Sequence, residues 1–325
     1  MFITRKDRRI VDNCRAKARK ATKLCYSPGC NKNAIMSHIQ QAEGPLRLIA
    51  KEGKVMQLML NNSFEINPWR FQKAGIREGD ILRFWGFCKE CDSNLFKDVE
   101  TTDVDYYDYR NLLLLSYRAL CNELYKKEYN LKQFDKILKS TEISSACREQ
   151  FEYKKLLTRV GIHHTHQEKK LIEENLINFN DKHYDFLIFK IGEINICGSI
   201  YFSLPEAFNL QRALADLTNC QRREGSYFVQ LIPTKETTFF IIGRRKQMTH
   251  GYYNFSTLAI ANEAYIFEVI NEILLKFSES WCMSIEYYDQ LQNKGIIQLI
   301  LSTMKQYSRP EMKLEAMTFN MFNYK

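Results

Sequence analysis

Two cysteine pairs constrain this chain more than any other feature. The first, Cys25-Tyr26-Ser27-Pro28-Gly29-Cys30, encloses a Pro-Gly step, and the second is Cys88-Lys89-Glu90-Cys91. A turn tight enough to bring two sulfurs to one point needs the fixed φ of proline and the permissive backbone of glycine. Two close pairs, delivered from two turns, supply the four tetrahedral ligands that zinc prefers. The spacing therefore predicts one structural Zn2+ held by Cys25, Cys30, Cys88 and Cys91. Residues 31–87 between the pairs are more than most zinc fingers use, so the spacing also predicts a long insertion within the module.

The other cysteines are dispersed among the ten of the chain. The N-terminus lacks an apolar leader, and no stretch reaches the roughly 18 apolar residues that span a bilayer. The expectation is a cytoplasmic protein with no membrane partner, in which thiols are reduced and no disulfide framework forms. The length of 325 residues allows two domains and a small third, and a 45% hydrophobic content supplies their cores. The net charge of +9 is unevenly spread. Arg5, Lys6, Arg8, Arg9, Arg15, Lys17, Arg19 and Lys20 face only Asp7 and Asp12 in the same stretch. Such a segment is the electrostatic footprint of a nucleic-acid binder, and the same composition also suits a solvated basic helix.

The pattern along the chain predicts an α+β fold in three parts. Residues 1–104 hold the basic segment and the zinc module, 105–183 a helical region, and 184–325 a C-terminal α+β domain. Within the module, residues 39–50 read as helix, Lys54–Leu60 as strand, and a helix capped by Asp92 or Ser93 follows the second cysteine pair. Helical periodicity predicts helices near 106–128, 130–158 and 165–179, with a break at Gly161. Phe186–Ile191, Ile194–Phe202, Tyr227–Ile232 and Thr238–Ile242 read as strands, followed by helices near 257–277 and 285–305. Trp69, Trp85 and Trp281 read as core anchors.

A resemblance rests on Cys25 and Cys30, then Ala34-Ile35-Met36-Ser37-His38-Ile39, then Cys88-x-x-Cys91-Asp92. This order resembles an HNH nuclease core of the zinc-supported, treble-clef kind. The resemblance implies His38 as general base on the attacking water. It implies Asp92, with Asn94 and Asp98 as further candidates, as ligand to a catalytic Mg2+ or Mn2+. The sequence departs from the family at Ser37, where an acidic ligand is usual, and in the Asn-Leu pair before the second knuckle, for which Asn61 or Asn62 would have to substitute. The wider run Ser37-His38-Ile39-Gln40, Gly86-Phe87-Cys88, Asp92, Leu95-Phe96 and Glu100 is similar to a group of bacterial proteins loosely associated with mobile elements and phage defence. It covers about the first 130 residues.

Other motifs carry less. His163-His164-Thr165-His166 would need a loop to converge on a metal, with His183, Asp181 and Asp185 further on. The alternative is an interhelix turn with exposed imidazoles. Arg244-Arg245-Lys246, Arg222-Arg223 and Arg212 are phosphate candidates or strand-end solvation, and Tyr106, Tyr107 and Tyr109 are base-stacking or core residues. Arg118 and Glu123 are candidates for an intramolecular pair or for lining the zinc module. No Gly-rich phosphate loop and no Gly-x-Ser-x-Gly elbow occurs, which argues against ATP hydrolysis, dinucleotide redox chemistry and serine hydrolysis. Two functions stay open, with an enzyme site wholly within the C-terminal domain as a weaker third. One is a zinc-stabilised nucleic-acid protein, as an HNH-like antiphage nuclease or its binding-only relic. The other is a non-catalytic, zinc-stapled interaction or sensor protein acting through a protein partner or a second copy of itself.

Overall fold

Runs of Ile, Phe, Tyr and Val build the central sheet. The computed structural model describes residues 4–19, 23–60, 68–77, 81–101, 103–178, 182–203, 225–247, 251–308 and 315–324. Its strands are β1 Met36–His38, β2 Lys54–Leu60, β3 Trp69–Gly75, β4 Arg83–Trp85, β5 Tyr184–Ile191, β6 Ile196–Ser203, β7 Ser226–Pro233, β8 Thr238–Arg245 and β9 Trp281–Met283. β1 pairs with β4, and the others form one antiparallel sheet in the order β3-β2-β9-β6-β7-β8-β5. The insertion expected inside the cysteine module thus supplies β2 and β3, one edge of that sheet. Its remaining strands come from the C-terminal half.

Successive side chains on a strand point to opposite faces. On one face Ile200, Phe202, Val229, Phe240 and Trp281 share a core with the helices α6 Phe255–Ala259, α7 Glu263–Glu272, α8 Ile285–Asn293 and α9 Ile296–Tyr307. On the other, Cys197, Tyr201, Phe228 and Cys282 share a core with the cysteine module and with Leu112–Leu115. Those leucines belong to α4 Tyr109–Leu138, which pairs with α5 Ser145–Ile177. Covering both faces is why the strands read as nearly continuous apolar runs.

Capping explains where the long helices begin. The Asp108 carboxylate accepts the Asn111 N–H at 2.9 Å to start α4, and the Ser144 hydroxyl accepts the Cys147 N–H at 3.3 Å to start α5. The middle region therefore holds two helices, not three, and Gly161 lies inside α5 instead of breaking it. A Cβ at Gly161 would come within 3.0 Å of the Lys127 side chain on α4, so the glycine admits close packing of the pair. The histidines at 163, 164 and 166 consequently lie on a regular helix, correcting the expectation of a loop or interhelix turn. Trp281 is buried and donates its indole N–H to Leu274 O at 3.2 Å, and Trp69 packs partly buried against the same core. Trp85 is exposed and anchors no core, because it stands on the short β4, outside the seven-stranded sheet.

The basic segment forms α1, Arg5–Arg19. Thr4 and Asp7 cap it reciprocally: the Asp7 N–H donates to the Thr4 hydroxyl at 3.0 Å, and the Thr4 N–H to the Asp7 carboxylate at 3.1 Å. Asp7 is buried and also accepts from the N–H and hydroxyl of Ser144. Burial works to raise its carboxyl, but these hydrogen bonds outweigh it and hold the group below its ordinary value. Val11 packs beneath α1 against Ile137, Cys147 and Phe151, so the helix is docked on α4 and α5. No helix among the described residues is long and apolar enough to cross a membrane.

Candidate metal centre

The first knuckle closes because Gly29 takes φ +69°, a left-handed conformation that costs glycine little. The Cys30 N–H then bonds Ser27 O at 3.1 Å, and the Cys25 N–H bonds Lys32 O at 3.0 Å. The second knuckle follows β4 and turns into α3, Lys89–Leu95. This helix starts three residues before the expected cap at Asp92, with Cys88 at its N-cap, because the knuckle itself forms the first turn. The Tyr26 N–H donates to Gly86 O at 2.8 Å and ties the two knuckles together.

The result is that the thiols of Cys25, Cys30, Cys88 and Cys91 lie within 4.8 Å of one another. Cys30 Sγ and Cys88 Sγ are 3.8 Å apart. Four sulfurs arranged tetrahedrally at a Zn–S distance of about 2.3 Å would be separated by about 3.8 Å, so this spacing fits a zinc ion. An all-sulfur set also selects zinc or iron over hard cations. The Cys91 N–H, and the neighbouring thiols after it, pull the Cys88 thiol down to about 7, while burial pushes Cys25 and Cys91 up. A metal cation would let four thiolates share this space. The cluster rests on α4: the Tyr117 hydroxyl donates to Tyr26 O at 3.1 Å, and the Tyr26 hydroxyl to Glu128 at 2.8 Å. Among the described residues no other set of three or more Cys, His, Asp or Glu converges in this way.

His38 and Asp92 stand near this cluster but are joined by no hydrogen bond or ion pair. Strand alternation separates them, since Ser37 is buried and faces Asp92, while His38 Nε2 lies 3.2 Å from Ile76 O. Burial holds the imidazole below its ordinary value, so it is neutral at pH 7. Asp92 is set against Arg118, which the sequence offered either as a partner of Glu123 or as a lining of the cysteine module; it is the second that the structure shows. Arg118 is 1% exposed, stacks 3.9 Å above the Phe96 ring, donates to Glu100 at 2.8 Å, and lies 3.8 Å from Asp92. Glu123 instead pairs with Lys127 and Lys126. Burial raises the Asp92 carboxyl, and the guanidinium opposes that effect. A hard divalent cation seeks several oxygen ligands in open geometry. Here the Arg118 guanidinium stands against both carboxylates and competes with a divalent cation for their oxygens. Asn94 is exposed on α3, Asp98 pairs with Arg110, and Asn61 and Asn62 lie outside the described residues.

On α1, Arg5, Arg8, Arg9 and Lys17 are exposed with no carboxylate partner among the described residues. Lys6 pairs with Glu142, and Arg15 lies 3.8 Å from Asp12. The Arg19 side chain and Lys20 lie outside the described residues. Neighbouring helices add Lys132 and Lys154, which the sequence did not group with them, and the buried Lys23 follows α1 in the chain. Burial, then Lys132 beside it, lowers Lys23 to about 8, and burial and then Arg15 lower Lys154 on α5.

The remaining candidates are engaged elsewhere. His163 meets Gln167, and His166 lies 3.6 Å from Glu128. The backbone N–H of His183 lies 3.5 Å from the Asn175 side-chain oxygen, Asp185 sits on β5, and Asp181 is outside the described residues. Arg245 is clamped on the buried Glu168, and Arg244 stacks 4.2 Å from the Phe255 ring centre. Arg212, Arg222 and Arg223 lie outside the described residues. Tyr106 packs on Phe239, Tyr109 donates to Asn175, and Tyr107 is exposed. No family model, curated protein or solved structure matches this chain.

Proposed function

We propose that this is a metal-stapled nucleic-acid-binding protein, whose treble-clef-type cysteine module supports a basic surface that holds a phosphate backbone without cutting it. The crowding of cations on and around α1 carries this reading. Arg5, Arg8, Arg9 and Lys17 lack carboxylate partners among the described residues, and Lys154 on α5 lies beside Arg15. Such self-repulsion is relieved when a polyanion binds. Lys and Arg contacts to phosphate release counterions, so affinity should fall steeply with salt.

Fluorescence anisotropy with labelled duplex DNA, single-stranded DNA and hairpin RNA tests the proposal across a KCl series. The Arg8→Gln/Arg9→Gln variant should weaken binding and reduce the slope of log K against log[salt] by about 1.5 to 2. No binding at low salt, or binding indifferent to the α1 substitutions, would contradict the assignment.

One feature favours a nuclease as the second reading: burial lowers the His38 imidazole from its ordinary value, which favours the neutral form a general base needs. Incubating plasmid and RNA with the protein and Mg2+ or Mn2+, beside His38→Ala, separates the two readings. Cleavage that disappears in the variant would install the nuclease. Binding without cleavage is the outcome the Arg118 geometry favours.

A further inference from the structure

The three tryptophans differ in what covers them. Trp281 is buried and Trp69 is half-buried on the same core, whereas Trp85 is 40% exposed. Among the described residues the Trp85 indole stacks on no aromatic ring, and its N–H meets no acceptor. Strand alternation accounts for this exposure. β1 and β4 pair so that Ser37 lies opposite Phe84, and both are buried. Side chains one position away point to the other face. Met36 lies opposite Trp85 and His38 opposite Arg83, so these four share the outer face of the ribbon.

That face joins a free ring to a cation on a fixed backbone. Directly opposite residues have Cβ atoms about 5 Å apart, so Met36 flanks the indole. Arg83 is two positions before Trp85 on the strand, about 7 Å away. Its guanidinium is braced by Met36 O at 3.2 Å and Arg77 O at 3.4 Å. The chain after Trp85 is tied down by the Tyr26 N–H on Gly86 O and the Ile35 N–H on Phe87 O, both at 2.8 Å. A Cβ at Gly86 would come within 2.3 Å of the Phe84 ring, so the backbone lies close on the core there. Cys88 follows two positions later. The turn that delivers this thiol to the metal centre thus also holds the indole in place.

We infer that the outer face of β1 and β4 is a binding site for an unpaired base of a single-stranded nucleic acid, with the base stacked on Trp85 and the adjoining phosphate on Arg83. The inference rests on the nucleic-acid reading and names the kind of strand this face accepts. Bases inside a duplex cover one another, so only an unpaired base can lie on the indole. Every base has a π-face, and a ring beside a cation is the arrangement that holds single strands without reading their sequence. The guanidinium beside the ring also suits a polyanion better than it suits an apolar protein surface.

The test is fluorescence anisotropy of the full chain with labelled oligo(dT) and with a labelled duplex of equal length, alongside intrinsic tryptophan emission. Trp85→Ala should weaken oligo(dT) binding by about tenfold and duplex binding by less than about twofold. Trp85→Phe keeps a ring and should retain most of the affinity, yet lose the quenching that oligo(dT) causes in the wild type. Arg83→Gln should lower the slope of log K against log[salt] on oligo(dT) by about 0.7, a slope that Trp85→Ala should leave unchanged. Circular dichroism melting checks that the variants fold, and the quenching lost in Trp85→Phe decides if Trp85→Ala does not fold. Suppose oligo(dT) binding weakens in Arg8→Gln/Arg9→Gln, but folded Trp85→Ala binds as the wild type does, or oligo(dT) causes no quenching. The inference then falls and the nucleic-acid reading stands. If no nucleic acid binds at low salt, both fall. If Trp85→Ala turns a dimer into a monomer in analytical ultracentrifugation and leaves strand binding unchanged, the face is a contact between copies of the chain and the inference is overturned.

Discussion

The cysteine corner and the C-terminal layer are held by different physics. In the corner β1 and β4 are three residues each, and none of the seven residues of α3 is fully buried. A two-stranded ribbon of that size is marginal in water. Its aromatic residues, Phe84, Phe87 and Phe96, gain their burial by leaning on Tyr125 and Tyr117 of α4. The C-terminal layer instead packs α7, α8 and α9 on a sheet face centred on Trp281, Ile200 and Phe240. Apolar burial is extensive there, while in the corner four converging thiols could add a crosslink by holding a metal ion.

The largest test of that contrast removes the crosslink. Cys88→Ser should abolish metal binding and open the corner at a cost of about 3 kcal/mol or more, since a structural zinc site supplies folding energy outright. Hydrogen exchange should show the amides of residues 24–60 and 81–100 losing protection while β6, β7 and β8 keep theirs. Trp281→Ala is the converse experiment. It should lower global stability by about 3–5 kcal/mol and leave the metal content unchanged.

Two smaller effects sharpen the picture at the join. Arg118→Met would leave Asp92 and Glu100 facing each other without their cation, at a cost of about 2–3 kcal/mol, less than for a fully buried pair because Glu100 is partly exposed. Adding Asp92→Asn should recover part of that loss in denaturant melts. His38 gives the smallest effect. Its folded value is depressed by burial, so its stabilisation is present above the unfolded value of about 6.5 and is lost as pH falls below it. Urea midpoints compared between pH 7 and pH 5 should drop more in the wild type than in His38→Gln.

Local chemistry made part of this legible in the sequence. The cysteine spacing points to the thiols that converge, Lys54–Leu60 reads as the strand it is, and β5 to β8 and the basic helix lie within a few residues of their sequence bounds, whereas β3 and β9 go unread. What could not be read depends on partners far along the chain. β2 belongs to the large sheet because it pairs with β9, more than two hundred positions away. Gln40, beside His38, spans to Gln230 at 2.8 Å, a link between the corner and the sheet that no periodicity announces. Gly161 reads as a helix break until Lys127 of α4 is seen packed against it. Arg118, within an apolar helical run, gave no sign that it would be buried against two carboxylates.

The central claim is that four thiolates share one metal ion, and native mass spectrometry with elemental analysis tests it most directly. Protein purified without added metal should carry one zinc per chain. Cys25→Ser and Cys88→Ser should carry none, and their remaining cysteines of the set should become open to alkylation. A folded wild-type chain without bound metal, its four thiols all alkylated at native stability, would contradict the account.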